Sequence, residues 1–384
     1  MKYLDAYRDP RVARGLLDQI REAATRPWTV LEVCGGQAHN LVRFGTDRAL
    51  PDGLELIHGP ACPISITPSR AIDRVLSIAA RPGVIVGAPG DLLRVPGTRG
   101  RETLLASRDS GADVREIYSP LDALALARKH PDREVIVLAL GFETTAAAAA
   151  AAVLEAERLS LDNLAFLTSY YRLAPATEAL LSAPDNRARA VLASGPVCAV
   201  TGFRDYEPIA ARFRVPVVIT GPEPVDLLDA LARAIHLLER GSYAVENQYA
   251  RAVKPDGNPH ARAAVATVFE VADADWRGLG RLAASGLVLR DRFRRFDAAA
   301  RFLEPLAPPL ALTECRDADV LTGRLKPFHC SAFGTRCTPE RPLGASMVSA
   351  EGTCAAYYRY RRSHVDARVA PALDIVSEAV IPNG

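Results

Sequence analysis

The chain has 384 residues, enough for two or three domains, and 49% of them are hydrophobic, enough to build real cores. Forty-seven basic residues against 45 acidic ones leave a net charge of +2, which gives no argument for nucleic acid or a membrane surface as partner. The charged start MKYLDAYRDPRVARGLL has no apolar signal-peptide core, so a cytoplasmic protein with reduced cysteines is expected.

Residues 1–26 read as one or two helices, with Leu4, Val12, Leu16, Leu17 and Ile20 at roughly helical spacing. Thr29–Val33 is a short β-branched run that ends at Cys34-Gly35-Gly36. A second run, Leu54–His58, ends at Gly59-Pro60-Ala61-Cys62-Pro63. A helix from Pro68 to about Ala80, a strand at Val84–Val86, a helix over 101–110, a strand at Val114–Tyr118 and a helix over 121–130 follow. The apolar strand Glu134–Leu140 meets Gly141-Phe142-Glu143-Thr144-Thr145 and an Ala-rich helix over 146–158. The apolar run from Val135 to Leu154 thus reads as strand, turn and helix rather than a membrane span. Strands at Leu164–Thr168, Ala188–Ala193 and Val215–Thr220 alternate with helices near 175–183, 206–213 and 224–239. Such alternation predicts an α/β fold with parallel sheets covered on both faces, in two units of similar size. Residues 245–312 are mixed and less periodic.

Four of the seven cysteines, Cys315, Cys330, Cys337 and Cys354, crowd into one Gly- and Pro-rich stretch. Thiolates are the soft ligands of zinc and of iron–sulfur clusters, and four of them complete either. The competing explanation is four buried cysteines that act as small hydrophobes. Zinc ribbons carry close C-x2-C pairs; the gaps here are fourteen, six and sixteen residues and lean away from zinc. Cys34 and Cys62 each follow a strand at a glycine turn, where open α/β sheets bind ligands and where backbone N–H groups favour a thiolate. Each could equally be a buried strand-end cysteine. His39, five residues after Cys34, could orient a ligand or move a proton, or simply sit at the surface. Glu143 at its strand-to-helix turn is a candidate carboxylate, against plain N-capping by Thr144 or Thr145. Cys198 after Gly195-Pro196-Val197 reads as packing. Asn247–Asn258 reads as either an anion- or partner-binding loop or a solvated junction. Neither a P-loop nor a complete G-x-G-x-x-G is present.

Taken together, LEVCGGQAHN, HGPACPIS, LGFETTA, TGPEPVDLLDAL, ENQYARAVKPDGN, WRGLG and PFHCSAFGTRCTPERPLGASMVSAEGTCAAYY resemble, in order and over nearly the whole chain, the hydrogenase-maturation family HypD. The resemblance implies a scaffold and redox protein that assembles the Fe(CN)2CO unit of [NiFe]-hydrogenase with a HypC-like chaperone and a HypE-like cyanide donor. It also implies two α/β domains, 27–125 and 126–244, and a mixed, loop-rich third domain from 1–26 with 245–384. A [4Fe–4S] cluster is implied at Cys315, Cys330, Cys337 and Cys354. Cys34 is implied as the iron-holding thiolate, shared with a cysteine of the partner. Cys62 corresponds to the first cysteine of a C-x-x-C dithiol that passes electrons between cluster and iron.

Four positions depart from the family pattern. Ser65 stands where the second cysteine of the dithiol is usual, so Cys62 has no partner thiol in its own motif. Gln37 and Ala38 replace the usual histidine and threonine after Cys34. Ser346 stands where a cysteine is frequent. A divergent HypD paralogue that serves another metal cofactor or a redox reaction is therefore the alternative. A structural zinc protein whose α/β domains bind a small molecule is a third reading.

Overall fold

The computed structural model describes residues 5–361 apart from 61, 100–101, 303–305 and 307–313; the parts of the expected third domain at 1–4 and 362–384 lie outside the described residues. The apolar runs form strands close to their expected places: β1 (Trp28–Glu32), β2 (Leu54–His58), β3 (Val84–Ala88), β4 (Asp113–Glu116), β5 (Glu134–Phe142), β6 (Leu164–Tyr171), β7 (Ala190–Ser194) and β8 (Val217–Thr220). The interleaved helices include Ser69–Ala79, Glu143–Arg158, Leu173–Ser182, Tyr206–Phe213 and Pro224–Glu239. Every residue of β3 and β7 is buried. That is why these strands read as continuous apolar runs rather than alternating ones.

The strands gather into two sheets. One is parallel, in the order β2-β1-β7-β8-β9, where β9 is Val245–Asn247. The other runs β10-β11-β6-β5-β3-β4, with β10 at Phe269–Trp276 and β11 at Gly280–Leu289. The α/β class is as expected, but the second sheet is mixed: β10 and β11 form an antiparallel hairpin, and β11 pairs antiparallel with β6. The hairpin escaped the sequence reading because β10 is an edge strand whose inner residues, Glu270–Asp275, all stay at least partly exposed. It therefore lacks a clean apolar period.

Strand sharing does not follow the division expected from chain order. The first sheet takes β1 and β2 from 27–125, β7 and β8 from 126–244, and β9 from beyond; the second takes β3 and β4 with β5 and β6. Residues 1–26 also serve the first sheet. Helix Pro10–Ala23, capped by the Asp9 side chain, buries Ala13, Leu17 and Ile20 against Leu227, Leu231 and Ile235 of helix Pro224–Glu239. The segment 314–361 contributes no strand and lies across the sheets' ends as short turns and helix Thr353–Arg361.

Candidate functional site

In-register pairing of β1 with β2 sets Glu32 beside His58 at the strands' carboxyl ends. The chain then turns, and Cys34 and Cys62 follow as the residues that precede helices Gly35–Arg43 and Pro63–Ile66. Both thiols are buried, at 8% and 3% exposure. Burial pushes the Cys34 thiol up to about 11, although the Ser194 hydroxyl and the Gln37 N–H favour its thiolate. Burial likewise raises the Cys62 thiol, opposed by the hydroxyls of Ser349 and Ser65.

Glu351 brings the two thiols under one roof, and its charge acts on both. The turn after Cys34 needs glycine because a β-carbon on Gly35 would lie 2.9 Å from Glu351 Cβ. His39 faces the same segment: Nδ1 donates to Ala350 O at 2.8 Å, and Nε2 accepts from the Tyr360 hydroxyl at 3.3 Å.

A buried polar chain that the sequence reading missed runs beneath. Cys34 N–H donates to Glu32 Oε2 at 2.9 Å, Glu32 Oε1 lies 2.7 Å from His58 Nδ1, and His58 Nε2 lies 3.0 Å from the Tyr357 hydroxyl. Burial raises Glu32 to about 8 and drives His58 well below its ordinary value. Both shifts favour the uncharged forms, so burial favours a neutral hydrogen bond over an ion pair at this contact. The available signal was an ionisable residue closing each of two strands directly after a pair of apolar residues, which demands a buried partner.

The departures from the family pattern are also buried. Gln37 Nε2 donates to Ala193 O at 3.2 Å and Thr220 O at 3.1 Å, tying the Cys34 turn to the ends of β7 and β8. The Ser346 hydroxyl is buried without a hydrogen-bond partner, and the buried Ser65 hydroxyl faces the Cys62 thiol.

The four distal cysteines are free thiols, as are the other three. Cys330, Cys337 and Cys354 share a small apolar cluster with Ala332 and Met347. Cys354 is raised well above the ordinary thiol value by burial and then by the charges of Cys315, Asp317, Cys337 and Cys330, so all four sulfurs are electrostatic neighbours. A single zinc needs its thiolates about 2.3 Å from one point. Among the described residues no group of three or more His, Cys, Asp or Glu converges in that way.

The remaining candidates serve the interior. Cys198 is fully buried in the core with Val33, Phe142 and Tyr206, as packing predicts. Glu143 Oε1 accepts from Leu173 N at 3.2 Å, its Oε2 has no partner, and burial raises it to about 7. Neither Thr144 nor Thr145 caps that helix; Thr145 Oγ1 instead donates back to Phe142 O at 3.2 Å. In the Asn247–Asn258 stretch, Arg251 pairs with fully buried Asp226 and stacks between Tyr7 and Tyr249, 3.7 and 4.3 Å from the ring centres.

An α/β protein with two buried thiols at adjacent strand ends, covered by a segment that carries four more, is the class that fold and site define. The profile of the HypD family, described as "Hydrogenase formation hypA family", matches residues 11–361. The hydrogenase maturation factor HypD of Rhodobacter capsulatus is 42% identical over 94% of this chain and 98% of its own. Those of Escherichia coli (strain K12) and Azotobacter vinelandii are each 41% identical, over 96% and 94% of this chain and 100% and 97% of theirs. The chain belongs to the HypD family of hydrogenase maturation proteins. A solved structure described as an S. aureus MnaA–UDP co-structure is similar only at a TM-score of 0.15 and 10% identity, over 62% of this chain and 94% of that one.

Proposed function

We propose that this chain serves hydrogenase maturation as a carrier on which the Fe(CN)2CO unit is assembled, with Cys34 as the protein thiolate on the iron and Cys62 beside it. The observation that carries this reading is the placement of both thiols past the ends of paired strands, under Glu351 of the four-cysteine segment. The iron unit is cargo, so a site with one protein thiolate and room for a partner's cysteine suits capture and release. A soft thiolate suits iron with strong-field ligands.

Each neighbour has a task in this scheme. Glu32 fixes the backbone N–H of Cys34, and the Ser194 hydroxyl and Gln37 N–H stabilise the charge that forms when the thiol yields its proton to solvent or partner. His39 holds the covering segment through Ala350 and Tyr360. Cys315, Cys330, Cys337 and Cys354 would hold the [4Fe–4S] cluster, for which four neighbouring thiols are the fitting soft ligand set. When bound, the cluster supplies electrons. A HypC-like chaperone and a HypE-like cyanide donor are the partners this reading requires, in the cytoplasm. Among the described residues no helix is long and apolar enough to cross a membrane.

Ser65 favours a second reading, a divergent paralogue that kept fold and cluster but handles another metal cofactor or redox reaction. Its hydroxyl beside Cys62 cannot form the dithiol. Infrared spectroscopy on anaerobically purified protein, alone and with a HypC-like partner, separates the two. CO and cyanide stretching bands that vanish in Cys34→Ala while sulfide and the cluster's iron stay constant support the carrier. A brown protein without such bands, partners present, points to the paralogue, and loss of the cluster in Cys34→Ala overturns the role given to Cys34.

A further inference from the structure

Cys34 and Cys62 are sealed, yet a thiolate that takes up cargo from another protein must be reachable. The seal comes from one stretch, Ser349–Arg361. Ser349 faces the Cys62 thiol, and Glu351 lies against Gly35 and acts on both sulfurs. Ala350 O and the Tyr360 hydroxyl hold the two nitrogens of His39. The Tyr357 hydroxyl reaches His58 and through it Glu32, which grips the backbone of Cys34; Arg361 pairs with Asp47. At its leading edge Ala350 N donates to Asp91 Oδ2 at 3.3 Å, and Arg94 Nη2 donates to Val348 O at 3.3 Å. The stretch thus covers the site through a handful of polar contacts and one small apolar cluster, in which Ala356 and Tyr357 pack on Val42; of helix Thr353–Arg361 only Thr353, Ala356 and Tyr357 are buried.

The same stretch contains Cys354, which neighbours Cys315, Cys330 and Cys337. We propose that Ser349–Arg361 is a hinged cap over Cys34 and Cys62, seated when the four cysteines are occupied together and lifted when they are not. The cluster then decides whether the carrier thiol can be reached. Stripping the four thiols removes the tie that fixes Cys354 to the rest of its segment and leaves the cap held by the polar contacts and the small Val42–Ala356–Tyr357 cluster. Those contacts are few enough to open locally without unfolding the sheets. The cluster-dependent half of this inference rests on the cluster reading above; the cap itself does not.

Labelling of the full-length protein with iodoacetamide, read peptide by peptide by mass spectrometry, tests it. Cys34 and Cys62 are expected to react roughly tenfold faster after chelator stripping than in the iron- and sulfide-containing form, while Cys198 stays protected. Tyr357→Phe keeps the ring and loses the hydroxyl bonds. It is expected to speed Cys34 labelling several-fold in the loaded protein at unchanged iron and sulfide content. Equal rates in loaded, stripped and Tyr357→Phe protein overturn the cap, and so does exposure of Cys198 in step with Cys34, which reports loosening of the whole core. If the purified protein holds no iron or sulfide, the cluster reading fails. The cap then stands or falls on whether Tyr357→Phe and Glu351→Ala speed labelling of Cys34 relative to Cys198.

Discussion

Single side chains decide how this site departs from its relatives. Ser65 sits fully buried with its hydroxyl facing the Cys62 thiol. Ser65→Cys is expected to create a reducible dithiol, seen as two fewer titratable thiols before reduction than after it; no difference would mean that the two side chains cannot meet. Glu143 carries a pH signature. Burial raises its carboxyl from 4.5 to about 7, so between those values the folded state holds a proton that the unfolded chain has already released. Its contribution to stability is present below the unfolded value and is lost as pH rises through about 7. Glu32, raised to about 8, adds a loss of the same sign. His58, lowered by burial, acts with the opposite sign, so the test is a comparison: from about pH 5 to about pH 8 the denaturant midpoint should fall less, or rise more, in Glu143→Gln, which keeps an acceptor for Leu173 N, than in the native protein. An identical pH slope in that variant would remove Glu143 from the account.

Elements hold the site in place through polar ties at their ends. Asp226, at the start of helix Pro224–Glu239, is fully buried and receives both terminal nitrogens of Arg251 and Gln248 Nε2. Removing one partner of a buried pair leaves an uncompensated charge. Because Arg251 itself is partly exposed, Arg251→Met should cost about 1–3 kcal/mol in denaturant unfolding. A loss well below that would mean that Gln248 and water compensate Asp226. Asn247–Asn258 was legible as a polar, basic loop, but composition could not tell whether Arg251 looks outward to an anion or inward to a carboxylate. The answer depends on Asp226, 25 residues earlier, meeting it across β8 and β9.

The molecule as a whole is two interleaved sheets. β1 pairs with β2 on one side and with β7, more than 150 residues later, on the other. A fragment that ends at residue 125 keeps β1–β4 but loses β7 beside β1 and β5 beside β3. Expressed alone it should show no cooperative unfolding by circular dichroism, since buried parallel strands would be left with bare edges. A cooperative transition in that fragment would mean that the consecutive division 27–125 and 126–244 folds in spite of the shared sheets.

Local chemistry was enough to read the first eight strands, eight of the helices, the α/β class and the residues that carry sulfur. Alternating apolar runs, glycine turns and cysteine spacing are properties of neighbours in the chain. The ordered motifs from Cys34 to Cys354 were sufficient to identify the family. Tertiary structure alone decided which strands pair, that Glu32, His58 and Tyr357 form one buried chain to Cys34, and that Ser349 and Glu351 close over thiols some 300 residues away in sequence. Hydrogen bonding across strands and the burial of ionisable groups are settled by whatever the fold brings into contact, and separation along the chain carries no trace of that.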